Sequence, residues 1–573
     1  MVSDAAREEI RKIALKNAMD YGKARESTVI NGTLSKFPEL KSEMKDLASC
    51  VREEVARINS LDKKALDAEA APFIGEYAAK ERERAEKTAK PKMVLEGAEK
   101  GKFTTRFPPE PNGYMQIGHA KVVFMEREFT DIYEGRMGLY FDDTNPEAER
   151  QEFVDAFEKD LGWLGIKFDT EYYASDNIEV LYGYAETLIG QGDAYVCGCS
   201  PDAVKEGRKN RSECEHRSNS PEENAKAWAG MLAGREKKAI LRLKGDMKSE
   251  NTAMMDPTLF RIKEAPHYRQ GSKYSVWPTY DFNTPIVDSM KGVTAAIRSK
   301  EYELRDEVYY RVLDLLRLRK PRIYSVARLE IKNNVTSKRK INELIKNGLI
   351  SGYDDPRLVT ITALRRRGIM PAAIKSFVLR FGMSKTDSKV GIDMLLAENR
   401  KLIDHESKRM FFIKDPRRLE VKGIPENLSV LRMKAHPSED LGFREYRQNG
   451  VFFINSYDAI NLNIGDVARL KDAFDIRIDG IEGDSIAASY TEAGSRDFPK
   501  LQWVSEGSYV KAKAVAVGDL LKEDGAFNEQ SLSVTEGLVE GHASSLSEGD
   551  TVQLERMGYF KLDDKNEMSF ISI

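Results

Sequence analysis

Residues 106–119, Arg-Phe-Pro-Pro-Glu-Pro-Asn-Gly-Tyr-Met-Gln-Ile-Gly-His, constrain this chain more than any other stretch. A β-like run, Lys102–Phe107, precedes them, and Ala120–Tyr133 follows, where Val122, Val123, Met125, Phe129 and Ile132 suit a helix. The prolines hold the connection extended, and Asn112-Gly113 is a turn signal. A strand, a stiff turn and a helix with Gly118 and His119 in its first turn predict a nucleotide site. Glycine lets a flat base approach the backbone, and the free N–H groups of a helix start face phosphates. An ordinary strand-to-helix connection shares this texture, so the reading depends on partners elsewhere.

With 573 residues the chain exceeds one core and predicts three or more domains. Lys and Arg number 90 against 93 Asp and Glu, which excludes a global basic field and leaves nucleic acid to local patches. Only four cysteines, no signal-peptide pattern and no apolar run of membrane length predict a soluble cytoplasmic protein without a membrane partner.

Residues 1–98 read as helical: Ile10, Ile13 and Ala14 share a face, and Met44, Leu47, Val51, Val55 and Ile58 form a longer stripe. Lys80–Lys102 reads as a polar helix end and linker. From Phe103 strand-like and helix-like pieces alternate as in an α/β sheet, with Met137–Phe141 a second buried strand ending in Asp142-Asp143-Thr144-Asn145-Pro146. Residues 177–278 interrupt the alternation as an insertion, and helices dominate from Tyr309 to about Arg409. Short turn-punctuated strands such as Val451–Ile454, Val467–Leu470, Tyr509–Val515 and Val552–Leu554 then predict barrels or sandwiches.

Two more clusters carry chemistry. Asn333-Asn-Val-Thr-Ser-Lys-Arg-Lys340 places Ser337 and Lys338 ahead of a helix-like Ile341–Leu349; alone, such a run is a solvated basic face. Cys197-Gly-Cys199 and Cys214-Glu-His216 have the make-up of a closed, structural zinc clip, with reduced thiols and no metal as the alternative. Cys50, alone on a helical stripe, is read as core.

Arg106–His119 resembles the HIGH signature of class I aminoacyl-tRNA synthetases, glutamyl/glutaminyl branch, and Val335–Arg339 resembles their KMSKS loop. The helical leader resembles the N-terminal extension of archaeal glutamyl-tRNA synthetases. One position departs: the first His of the signature is Gln116, which donates a hydrogen bond but cannot become a cation. The resemblance implies a Rossmann catalytic core in two halves, 99–176 and 279–330, split by an acceptor-end-binding insertion at 177–278. It also implies a helical stem-contact domain carrying the KMSKS-like loop at 331–408, and two anticodon-binding β-barrels at 409–573.

The same resemblance implies an ATP-dependent ligase that activates L-glutamate and transfers it to the 3′ end of tRNA(Glu), with tRNA(Gln) a further candidate acceptor. Mg²⁺ accompanies ATP, held mainly through phosphate oxygens. Charge builds on the triphosphate in the transition state, so the protein's task is placement and preorganised positive charge. His119, Lys338 and Gln116 are the expected catalytic groups. ATP is expected at Pro108, Pro109, Gly118, His119, Arg328, Leu329, Ser337, Lys338 and Arg339.

Arg106, Asp142, Tyr280 and Arg298 fall where the family meets its amino acid, with Asp142 and Tyr280 toward the α-ammonium. Arg298 is the expected discriminator: glutamyl members carry Arg there, and glutaminyl members an uncharged residue. A guanidinium left facing a carboxamide costs roughly 3–5 kcal/mol, enough for about a hundredfold discrimination. Arg365, Arg366, Arg367 and Arg409 are carried over as tRNA contacts, and Cys197, Cys199, Cys214 and His216 as zinc ligands. The protein is expected to be a monomer. The alternatives are a glutamine–tRNA ligase of the same architecture and, motivated by Gln116, a catalytically silent tRNA-binding scaffold.

Overall fold

Three helices open the chain: α1 (Asp4–Tyr21), α2 (Glu26–Lys36) and α3 (Met44–Asn59). Ser3 caps α1, its hydroxyl accepting from the Ala6 N–H at 3.3 Å. Ile10, Ala14, Leu47, Val51, Val55 and Ile58 are buried in one core, as the stripes predict. Met44 is the exception, exposed at the first residue of α3, so its stripe begins one turn later at Leu47. Cys50 packs against this core without being fully buried. The structure, a computed structural model, describes residues 2–62, 65–66, 68–70, 93–495 and 497–573. The part of the Lys80–Lys102 linker before residue 93 lies outside the described residues. The chain divides into two units, Met1–Lys90 and Pro91–Ile573.

The second unit starts with parallel strands β1 (Thr104–Phe107), β2 (Arg136–Phe141) and β3 (Thr170–Tyr173), joined by helices α4 (Ile117–Ile132) and α5 (Gln151–Trp163). Phe107 pairs with Leu139, and Gly138 with Thr170. The apolar run Met137–Phe141 is buried throughout, the mark of a strand covered on both faces.

The insertion forms its own antiparallel sheet of β4 (Ala194–Cys197), β5 (Ile240–Leu243), β6 (Thr258–Ile262) and β7 (Val276–Pro278), over a core that includes Leu188, Trp228 and Phe260. Helix α6 (Tyr280–Met290) then leads to the parallel pair β8 (Ala295–Ser299) and β9 (Arg322–Val326).

β8 lies beside β1, held by the Thr294 N–H to the Thr104 carbonyl at 2.8 Å and the Thr105 hydroxyl to the Ala295 carbonyl at 2.9 Å. Strands therefore run one way from β1 through β2 to β3, and the other way through β8 to β9. A crevice opens at the carboxyl ends of strands where the order reverses, and open α/β sheets bind their ligands there.

Beyond it come α7 (Lys338–Lys346) and the helices Ile361–Arg366, Pro371–Leu379 and Asp393–Ile403. Two seven-stranded sheets follow, each wrapped around its own apolar core, one centred on Phe452, Ile476 and Trp503, the other on Phe412, Val552 and Phe570. A loop of the second barrel, after its strand Tyr509–Val517, packs beside α7: Leu520 shares a core with Val335 and Ile341, and the Leu521 N–H donates to the Asn333 carbonyl at 3.0 Å. No described helix is long and apolar enough to cross a membrane.

Candidate active site

Gln116 is the N-cap residue of α4, and the helix start forms a reciprocal capping box with His119. The Gln116 N–H donates to His119 Nδ1 at 3.1 Å, which assigns the imidazole proton to Nε2. His119 is exposed as a residue, yet the atoms packed around its imidazole desolvate the ring and lower its pKa to about 4. The acceptor bond at Nδ1 agrees with that direction. His119 thus presents a neutral ring with an N–H donor.

The second signature stretch lies against this helix start. Gln116 Nε2 donates to the Thr336 carbonyl at 2.8 Å, and the Lys338 side chain passes 3.5 Å from where a Cβ on Gly113 would stand. Lys338 Nζ rests 4.8 Å from the centre of the Phe153 ring; desolvation, then the nearby Arg150, lowers its pKa. Above Gly118 a Cβ would meet only the Leu329 carbonyl, 3.9 Å away, so the backbone there is bare, as the approach of a base requires. Lys121 extends from α4 to donate to the Ala327 carbonyl at 2.8 Å, fixing the segment that leads into Arg328 and Leu329. Arg328 and Arg339 are exposed, Arg328 paired with Glu301; Ser337, exposed, sits at the N-cap position of α7 without a capping bond from its hydroxyl; Leu329 and Pro109 are buried and Pro108 half-buried.

On the amino-acid side, Arg298 Nη1 donates to the Tyr280 hydroxyl at 3.0 Å and Nη2 pairs with Asp306, while its buried Nε has no partner. Desolvation opposes the charge, but Tyr280 and Asp306 outweigh it and the pKa rises. The guanidinium lies 5.2 Å from the centre of the Tyr309 ring. Asp142, at the carboxyl end of β2, is buried; desolvation first, then the Glu110 and Asp143 carboxylates, push it up to about 7.

Arg106, expected at the amino acid, is engaged within the protein. Its side chain is fully buried, with Nε and Nη2 donating to the two oxygens of Asp288 at 2.7 and 3.0 Å and Nη1 to the Ile297 carbonyl at 3.2 Å. Asp288 also accepts from the Tyr309 hydroxyl at 3.0 Å. Asp288 thereby links Arg106 to Tyr309, whose ring lies beside the Arg298 guanidinium.

Cys197, Cys199, Cys214 and His216 converge, with one ligand atom from each lying within 4.8 Å of the others. Tetrahedral Zn²⁺, with bonds of about 2.3 Å to sulfur and about 2.0–2.1 Å to nitrogen, sets two sulfurs about 3.8 Å apart and sulfur and nitrogen about 3.5 Å apart. The Cys197–Cys214 sulfurs are 3.8 Å apart, and Cys199 Sγ is 3.5 Å from His216 Nδ1. The donor set fits that ion.

The arginines expected to meet RNA are engaged within the chain. Arg365 pairs with Asp160 at 3.1 Å, Arg366 with Asp563 at 2.8 Å, and Arg409 with Asp404 at 2.6 Å. Arg367 is buried and donates to the Ser572 carbonyl at 3.1 Å, so its guanidinium does not reach the surface that a phosphate contact requires. Arg365, Arg366 and Arg367 tie the helix Ile361–Arg366 and its C-terminal end to their neighbours. Sequence reasoning passed over Asp288, Tyr309, Asn283, Asp306 and Lys121, none of which carries a local pattern; their roles come from partners distant in sequence.

Nucleotide-type crevice, insertion and paired signature stretches agree with the sequence matches. Residues 102–405 match the profile of tRNA synthetases class I (E and Q), catalytic domain, and residues 407–494 and 500–563 match the two anticodon-binding domains of the same family. The chain belongs to the class I tRNA synthetases of the glutamyl/glutaminyl branch. It is 40% identical to the glutamate–tRNA ligase of Cenarchaeum symbiosum, over 98% of both chains, and 38% identical to that of Nitrosopumilus maritimus, over 99% of this chain and 100% of the relative. A solved glutamate tRNA ligase from Elizabethkingia meningosepticum aligns with a TM-score of 0.39 and 15% identity, covering 53% of this chain and 70% of that one. Membership of this family implies use of ATP with Mg²⁺.

Proposed function

We propose that the protein is a glutamate–tRNA ligase. The glutamate α-carboxylate attacks the α-phosphorus of ATP, pyrophosphate leaves, and glutamyl-adenylate forms. The terminal ribose hydroxyl of tRNA(Glu) then attacks the activated carbonyl, and AMP leaves. No covalent enzyme intermediate is needed.

One observation carries the choice of glutamate: the buried Arg298 guanidinium, bonded to Tyr280 through Nη1, paired with the half-buried Asp306 through Nη2 and left with an unpartnered Nε. A side-chain carboxylate compensates the guanidinium's charge and can accept through either oxygen; a carboxamide is neutral, has one acceptor oxygen and turns a donor NH₂ toward the arginine. Asp142 takes the α-ammonium, aided by Tyr280. The neutral His119 Nε2–H and the Gly118 N–H of α4 face the α-phosphate side, and Lys338 leaves Phe153 for the departing pyrophosphate. Arg328, Leu329, Ser337 and Arg339 frame the nucleotide. The insertion holds the acceptor end and the two barrels the anticodon; tRNA(Gln) is a second candidate acceptor, and the enzyme works as a cytoplasmic monomer.

Exchange of labelled pyrophosphate into ATP, dependent on glutamate and on tRNA, tests this reading. Equal exchange with glutamine overturns the specificity, and silence with every amino acid favours a binding scaffold. The cysteine–histidine cluster is read as a structural zinc site. Metal analysis is expected to find one zinc per chain, lost together with several degrees of Tm on Cys214→Ser; a metal-free protein of undiminished Tm refutes it.

A further inference from the structure

Asn283 lies on the first turn of α6, three residues after Tyr280, and is fully buried. Its Nδ2 donates to Asp142 Oδ1 at 3.0 Å, and the Thr144 hydroxyl approaches the same oxygen at 3.4 Å. Both bonds reach Oδ1, which leaves Oδ2 as the oxygen of Asp142 available to a ligand. Asn283 Oδ1 is buried with no hydrogen-bond partner; the buried Tyr140 hydroxyl lies within reach of the same carboxamide without a bond of good geometry. Native interiors rarely leave such an acceptor unmet, and a ligand N–H would satisfy it.

We infer that Asn283 and Asp142 form a two-point clamp for the substrate's α-ammonium, Asp142 supplying a carboxylate oxygen and Asn283 its carboxamide oxygen. The inference rests on the reading of Asp142 as an amino-acid contact. An amide suits the position because it donates to the carboxylate through one end and accepts from the ammonium through the other. Aspartate there would repel Asp142, and a hydrocarbon would serve neither partner. Asn283 is thus a positioning residue for Asp142 and a second acceptor for the ligand.

The clamp has a pH signature. Asp142 is faced by Glu110, Asp143 and Glu149, by the Tyr140 and Tyr302 hydroxyls, by Thr144 and by Arg261. Burial and the like charges raise its pKa to about 7, so the ammonium is held more tightly as pH rises through that value and Asp142 ionises. The Asn283 N–H favours the ionised form, and losing it moves the acid limb to higher pH.

The test is glutamate-dependent pyrophosphate exchange in the full chain with tRNA bound, read across neutral pH, with glutarate as a competing dicarboxylate that lacks the ammonium. Asn283→Ala is expected to raise KM for glutamate about tenfold or more and to shift the acid limb upward by about half a unit or more. KM for ATP and inhibition by glutarate should not change. Asn283→Asp keeps an acceptor but sets a second carboxylate beside Asp142, and should move the limb further up. Should N283A fail to fold, N283S, whose hydroxyl is too short to span both partners, is read the same way.

An unchanged glutamate KM and acid limb in N283A overturns the clamp, provided Asp142→Asn abolishes glutamate dependence. If Asp142→Asn also changes nothing, the placement of the amino acid itself has failed.

Discussion

Along the nucleotide side of the cleft, Thr336, Ser337, Arg339 and Lys340 are exposed, and Lys338 leans on an aromatic ring. Along the amino-acid side, Arg106, Asp142, Asn283, Asp288 and Arg298 are all buried, and every one of them bonds a residue from another element. The contrast follows from what each side must do. Reading a side-chain carboxylate requires fixed, desolvated charge whose cost is met by paired partners. Neutralising a departing polyphosphate requires cations that are available and can follow the developing charge.

Substitutions on the two sides should therefore fail in different ways. The largest effect is expected from Arg298→Cys: kcat/KM for glutamate falls at least about a hundredfold, because glutamate's carboxylate loses its buried partner, while ATP binding is spared. Glutamate turnover that survives this change nearly intact would remove Arg298 from the site. Lys338→Ala comes next, lowering the exchange rate by about a hundredfold with tRNA affinity altered by no more than about twofold. A variant that exchanges at the parent rate would show that Lys338 does not meet the leaving group.

Gln116→Ala should have the smallest effect. Its amide is a tether to the Thr336 carbonyl, so its loss is expected to raise KM for ATP by about three- to tenfold and barely alter glutamate KM. Gln116→His, which restores a donor at that site, should recover most of the difference. A loss in kcat as deep as that of Lys338→Ala would mean that Gln116 touches phosphate directly, and the two sides would then differ less than the geometry implies.

Much of this fold is legible in local pattern. The leader's apolar stripes, the buried strand Met137–Phe141 and the short strands after Arg409 follow from periodicity and turn chemistry, which act over a few residues. The two signature stretches were legible as well, because a strand–turn–helix junction and a Ser-Lys-Arg run carry their chemistry in their own residues. Arg365–Arg367 show the limit of such reading. Three consecutive arginines look the same whether they face solvent or are consumed by partners, and here Asp160, Asp563 and the Ser572 carbonyl take them. Met44 shows a smaller limit, since the stripe pattern does not say where a helix begins.

By itself the sequence determined the order of the elements, the strand–turn–helix junction at Gly118 and His119 and the Cys/His donor set, and it singled out Arg298 as the proposed reader of glutamate. The tertiary structure decided which charges are spent on the protein and which are left for a ligand. Arg106 and Asp288 are separated by 182 residues, and only folding reveals that the first is paired with the second, which also accepts from Tyr309. The physical reason is range: periodicity, caps and turns are set by neighbours along the chain, whereas the desolvation of a charge and its compensation depend on groups brought together from distant segments.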